Sequence, residues 1–307
     1  MDEVDKSVAG LDNKTLNSKG KAAAQPPAPG AVRYHPRAPY ADPARATRMS
    51  EPVLRVSGLV KRFGKAEVLR GVDLEVAGGE FLGLAGVNGA GKTTLLKCLL
   101  DFCAVDSGSI GIHGVPHTEP RSRARLAFLP ERFVPPYYLT GRDFLGFMLR
   151  LQQRPYDDAE VAAMLAALDL DRSALAKPVR AYSKGMTQKL GLAACFLSRR
   201  DLYVLDEPMS GLDPQARAGV KALLGQLRAD GRTLLFTSHA LADIEEICDR
   251  MVVLHQGVPY FSGAPRSLCD HYGEISTEKA FLRCIGDARP CQTPPPSRAS
   301  SSSTTTR

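Results

Sequence analysis

The stretch Phe81-Leu82-Gly83-Leu84-Ala85-Gly86-Val87-Asn88-Gly89-Ala90-Gly91-Lys92-Thr93-Thr94 decides how this chain is read. Phe81 to Ala85 is an apolar run of buried-strand length, and Leu95-Leu96-Lys97-Cys98-Leu99-Leu100 is an apolar-rich helical sequence. Between them the pattern G-x-x-x-x-G-K-[ST] stands in its required setting, strand before and helix after. Gly86, Gly89 and Gly91 leave no Cβ to keep phosphate oxygens from the backbone N–H groups. The helix starting near Lys92 turns its free amides and positive dipole end to the same anion. Lys92 can reach the β- and γ-phosphates, and the Thr93 hydroxyl can ligate Mg²⁺. The stretch predicts a loop that binds a nucleoside triphosphate.

Composition sets the frame for that loop. A chain of 307 residues, 44% of them hydrophobic, has room for one large α/β domain or two small ones. Of the net charge of +7, residues 1–50 carry +3 and residues 286–307 carry +2. The nearly balanced segment between them argues against a dedicated nucleic-acid binder, whose basic patch would dominate. Seven scattered cysteines, with no C-x-x-C pair, read as reduced thiols in a cytosolic protein. No run of 18 apolar residues is present, and the N-terminus lacks the apolar core of a secretory signal.

Residues 1–50, with Gln25-Pro-Pro-Ala-Pro-Gly30 at their centre, lack periodicity and are expected to be disordered; Met49 is an alternative start. The Pro294 and Ser300 runs give residues 286–307 the same expectation. The folded pattern covers 51–285. It opens with two strand-like segments, Val53–Val56 and Leu59–Gly64, and a longer strand, Val68–Val76, all ahead of the nucleotide strand. Phe63 would lie near the loop, where an aromatic can stack on a base. A strand over Leu126–Leu129 is followed by two helix starts, Thr140-Gly-Arg-Asp143 and Asp157-Asp-Ala-Glu160, inside a helical insertion spanning 135–200.

Leu202-Tyr-Val-Leu-Asp206-Glu207 reads as a buried strand ending in two acids, which points both into the crevice where α/β sheets bind ligands. Asp206 is placed to hold Mg²⁺ through water, and Glu207 to accept a proton from an attacking water. A helix from Pro214 to about Ala229 and a strand Thr233–Ser238 lead to His239 at the same sheet edge. A neutral imidazole there can hydrogen-bond a γ-phosphate and lose that contact after hydrolysis. A helix over 240–250, a hairpin through Gln256-Gly257 and a short helix over 277–285 complete the pattern.

This order of elements resembles the ATP-binding-cassette (ABC) family of ATPases over about residues 52–285. Tyr182-Ser183-Lys184-Gly185-Met186 narrows the resemblance, because it stands where that family has its Leu-Ser-Gly-Gly-Gln signature. Ser183 and Gly185 are kept, and three positions differ. The resemblance implies an α/β fold: a P-loop NTPase core with a mostly parallel sheet, an N-terminal antiparallel β subdomain and a helical insertion. It implies ATP and Mg²⁺ as ligands. Phe63 would then stack on adenine, residues Gly86, Val87, Asn88, Gly89, Ala90, Gly91, Lys92, Thr93 and Thr94 would cradle the phosphates, and Thr93, Glu131 and Asp206 would face the metal. Lys92, Glu207 and His239 take the catalytic positions. Glu131 replaces the usual Gln and adds a negative charge beside Asp206 and Glu207.

The implied mechanism is a head-to-tail homodimer, in which Ser183 and Gly185 of one subunit complete the ATP site on the P-loop of the other. The implied partner is a membrane permease on a separate chain, with the protein on the cytoplasmic face of the membrane and no nucleic acid expected. The Pro-Glu and Tyr-Ser-Lys-Gly-Met variants are similar to those of exporter cassettes for drugs and other amphipathic compounds. Two rival readings stay open: a soluble ABC ATPase acting in translation or DNA repair, and a P-loop kinase acting on a small molecule.

Overall fold

The computed structural model describes residues 52–287, so the expectations for residues 1–50 and for the tail beyond 287 lie outside the described residues. The chain opens with strands β1 (Leu54–Phe63) and β2 (Ala66–Val76), then β3 (Phe81–Ala85) and helix α1 (Lys92–Leu99). Strands β4 (Ser107–Ile112), β5 (Val115–Pro116) and β6 (Leu126–Leu129) follow, then helices α2 (Gly141–Leu151), α3 (Asp158–Ala167) and α4 (Lys184–Leu197). Next come β7 (Leu202–Asp206), α5 (Pro214–Ala229), β8 (Thr233–Thr237) and α6 (Leu241–Ile247). The hairpin β9 (Arg250–His255) and β10 (Val258–Gly263) leads to α7 (Pro265–Tyr272) and α8 (Thr277–Gly286).

Two sheets result. The first has the order β2-β1-β4-β5 and is antiparallel throughout. The second has the order β10-β9-β3-β8-β7-β6, parallel except for the β9–β10 hairpin. Every residue of β3, β7 and β8 is buried, the continuous apolar pattern of parallel strands covered on both faces. Alternate side chains go to opposite faces. Phe81, Tyr203, Leu205, Leu234 and Phe236 enter a core shared with α2 to α6. Leu82, Leu84, Leu202, Val204 and Leu235 face a second core with α1 and the antiparallel sheet.

Three expectations needed adjustment. β1 runs unbroken where two segments were expected, because a bulge between Val56 and Leu59 absorbs Ser57 and Gly58. Asp73 accepts the Gly58 N–H there at 2.8 Å. The helix expected over 240–250 is confined to Leu241–Ile247, since Cys248 is extended and Arg250 already pairs with Leu82. Helix α7 was not anticipated: only Pro265 and Leu268 of its eight residues are buried, too sparse a stripe to read as a period.

Parallel strands share one direction, so the ends of β3, β8, β7 and β6 emerge at the same sheet edge. The P-loop follows β3, His239 follows β8, Asp206 and Glu207 end β7, and Glu131 follows β6. Topology alone brings those four segments together.

Candidate functional site

The loop from Gly86 to Gly91 is held from below. A Cβ on Gly86 would lie 2.4 Å from the Leu254 carbonyl of β9, so only glycine lets the loop leave β3 at that point. Gly91 caps α1 with φ +108°, offers no side-chain hydrogen bond, and no acidic residue stands in the first turn. The amides at the start of α1 therefore face outward with no competing carboxylate, the electrostatic setting an anion needs. Val87, Asn88, Gly89 and Thr93 are exposed, whereas Ala90 and Lys92 are buried.

The Lys92 ammonium donates to the Gly86 carbonyl at 2.6 Å and to the Val87 carbonyl at 3.3 Å. Burial holds its pKa below the ordinary lysine value, opposed by the charges of Glu207, Asp206 and Glu131. All three acids, from the ends of β7 and β6, thus act electrostatically on the same cation.

Asp206 is buried, and Thr237 of β8 donates its hydroxyl proton to Asp206 Oδ1 at 2.6 Å. Burial raises the Asp206 carboxyl above its usual range, against the pull of that hydroxyl. Glu207 follows with φ +49°, a conformation few non-glycine residues adopt and one found most often at functional sites. Burial raises its carboxyl as well, while the His239 imidazole and backbone amide pull the other way. His239 Nε2 lies 3.4 Å from Glu207 Oε1, with half of the imidazole side chain exposed. An acid kept basic by burial, beside a histidine and a loop lysine, can take a proton from water at this edge.

The residues expected to hold a metal are hard oxygen donors: the exposed Thr93 hydroxyl, Asp206 and the exposed Glu131. Among the described residues no three His, Cys, Asp or Glu side chains gather into a metal cage. That donor set fits Mg²⁺, which binds through one or two carboxylates together with phosphate oxygens and water.

Phe63 ends β1, exposed, with the Lys61 ammonium 5.1 Å from its ring centre. Ser183 and Gly185 lie elsewhere in the chain. Ser183 caps α4, accepting from Met186 N at 3.2 Å, so the helix starts at Lys184, inside the signature segment itself. Helix α4 packs on β6, where Gly191 meets Leu129 and Phe133. That edge strand stands three places from β3, about 14 Å across the sheet. Sequence reasoning missed the ties that hold α4 to Pro208, directly after the two acids, and to Asp169 and Asp213. Gln188 donates to the Pro208 carbonyl at 3.0 Å, and buried Lys189 bonds the Asp169 carbonyl at 2.7 Å and lies 3.3 Å from Asp213 Oδ2. Polar residues on the buried face of a helix were the available signal.

The family described as "ABC transporter" matches residues 69–210. An uncharacterised ABC transporter ATP-binding protein of Synechocystis is 39% identical over 204 residues, which are 65% of this chain and 57% of that one. The chain thus spans little more than half of that relative's length. Nod factor export ATP-binding protein I of Burkholderia orbicola is 36% identical over 245 residues, 76% of this chain and 80% of that one. A solved structure of the ATP-binding subunit of an ABC transporter superposes with a TM-score of 0.68 at 30% identity, over 76% of this chain and 99% of that one. By its P-loop, its paired sheets and these relatives, the chain belongs to the ATP-binding proteins of the ABC transporter family.

Proposed function

We propose that this protein binds ATP with Mg²⁺, hydrolyses it, and so energises a membrane permease carried on a separate chain. The observation that carries the reading is the convergence of Lys92, Asp206, Glu207 and His239 at one sheet edge, beside a helix start with no acidic cap. Lys92 leaves its loop carbonyls for the β- and γ-phosphates, and the amides from Gly89 to Thr94 hold the remaining oxygens. Mg²⁺, held by Thr93, Asp206 and water, with Glu131 beside it, would neutralise phosphate charge. Glu207 takes the proton of a water that attacks the γ-phosphorus, and the bond to the bridging oxygen breaks to leave ADP and phosphate. His239, whose Nε2 lies 3.4 Å from Glu207 Oε1, contacts the γ-phosphate. Phe63 stacks on adenine.

Ser183 and Gly185 serve the nucleotide of a second copy, in a head-to-tail homodimer. Their place on α4, three strands from β3, supports a contact in trans. The permease docks on the helical insertion, where Val134, Tyr137, Tyr138, Phe147 and Leu151 are exposed. No helix among the described residues is long and apolar enough to cross a membrane, which fits a subunit placed on the cytoplasmic face of one. The Nod factor export names of several relatives favour export as the direction of transport.

The test is hydrolysis itself. The purified protein releases phosphate from ATP in a Mg²⁺-dependent way, and Lys92→Ala loses that release by at least about 100-fold. Equal rates in the two proteins would refute the reading.

A further inference from the structure

We propose that Thr237 is a positioning residue for hydrolysis, its single hydroxyl setting both Asp206 and Glu207. The inference rests on the ATPase reading above and deepens it. Thr237 ends β8 opposite Asp206 in the parallel register, and it is fully buried. A buried hydroxyl at the end of the apolar strand Thr-Leu-Leu-Phe-Thr calls for a polar role. Its partners define one. Glu207 N donates to Thr237 Oγ1 at 2.9 Å, and Thr237 Oγ1 donates to Asp206 Oδ1 at 2.6 Å.

The direction of this relay is fixed. A backbone N–H only donates and an ionised carboxylate only accepts, so the hydroxyl proton has to point at Asp206. The relay also answers a local need. At Glu207 the backbone turns to φ +49° and leaves the β7 ladder, so its amide takes a side-chain oxygen as acceptor. One atom therefore pins the carboxylate that would face Mg²⁺ and the backbone that aims the proposed base. Valine or alanine there would leave a buried amide without an acceptor and Asp206 free to rotate.

The experiment uses the full chain carrying Thr237→Val, Thr237→Ser or Thr237→Ala. Thr237→Val is expected to fold, to keep the KM for ATP within about threefold, and to lose about 10- to 100-fold in kcat. Thr237→Ser, which restores the hydroxyl, should recover kcat to within about threefold, while Thr237→Ala should not. Two further readouts do not depend on turnover. Calorimetric ATP binding without Mg²⁺ should be unchanged, and the gain in affinity that Mg²⁺ gives should shrink. Amide exchange at Glu207 in the nucleotide-free protein should accelerate by at least about tenfold in the Val and Ala variants, with the rest of β7 still protected.

A folded Thr237→Val with wild-type kcat overturns this inference and leaves the ATPase reading standing. Folding of the Ser variant alone, with Val and Ala both failing to fold, reduces Thr237 to a structural role and overturns it too. A wild-type protein that does not hydrolyse ATP defeats the ATPase reading and this inference together.

Discussion

Glu207 shows how one residue concentrates the chemistry of the site. Its backbone sits in the left-handed region, which costs of the order of 1–3 kcal/mol for a side chain of this kind. Burial lifts its carboxyl, and His239 stands 3.4 Å away. If it is the base, Glu207→Gln keeps ATP binding, slows hydrolysis by about 100- to 10,000-fold, and accumulates an ATP-bound dimer seen by size-exclusion chromatography. Hydrolysis at the normal rate would remove it from that role. The same substitution carries a pH signature. A carboxyl raised by folding stabilises the fold fully below its ordinary value of 4.5 and loses that contribution as pH rises through the folded value. Glu207→Gln should therefore be more heat-stable than wild type at neutral pH without nucleotide, and the difference should close as pH falls below 4.5. The order of residues announced Asp206 and Glu207, because four apolar residues lead directly into them. It did not announce the positive φ or the Thr237 bridge, since both depend on where β7 and β8 end relative to each other.

The elements that were legible are those whose start and stop are written in local chemistry. Thr140 and Asp143 form the reciprocal cap expected from their spacing: Thr140 Oγ1 accepts from Asp143 N at 3.1 Å, and the Asp143 carboxylate accepts from Thr140 N at 3.3 Å. Thr140→Ala should lower the stability of the fold by about 1 kcal/mol in a urea titration at neutral pH. The Thr140 hydroxyl and amide hold the Asp143 carboxyl below its ordinary range. Its contribution is thus present above 3.8 and is lost as pH falls through the depressed folded value. Asp143→Asn should accordingly destabilise at pH 7 and cease to matter once wild-type Asp143 is itself protonated. The start of α4 was harder to read. Ser183 caps it, yet Lys184 and Gly185, its first two residues, carry neither a period nor a strong helix propensity that would mark the boundary. Helix α7 escaped for a related reason. Its buried contacts are Pro265 and Leu268 alone, and the rest of its support comes from packing against α8, α6 and β10, which leaves no repeated apolar spacing within the helix.

For the molecule as a whole, two buried cores lie on opposite faces of one sheet, so the strands that carry the nucleotide machinery are covered on both sides. β3 is clamped between β8 and β9, and the P-loop is seated on the Leu254 carbonyl. Helix α4 carries Ser183 and Gly185 on the far side of β7, tied to Pro208 and flanked by Gly211, whose carbonyl a Cβ on Gly185 would approach to 3.3 Å. A site that used both halves of one chain would have to bridge β8, β7 and β6. Two chains facing head to tail need no such distortion, and a two-fold symmetric pairing makes both sites at once. That geometry has a consequence that distinguishes it from any arrangement within one chain. Lys92→Ala leaves α4 intact, and Gly185→Glu leaves the P-loop intact while setting a carboxylate where phosphate would approach. In the proposed head-to-tail pairing, each variant alone would form homodimers with two broken sites. Mixed in equal amounts, half of the dimers combine the two chains, and each such dimer holds one intact site. ATP hydrolysis should then return to about one quarter of the wild-type rate, whereas sites built within single chains would stay silent in the mixture.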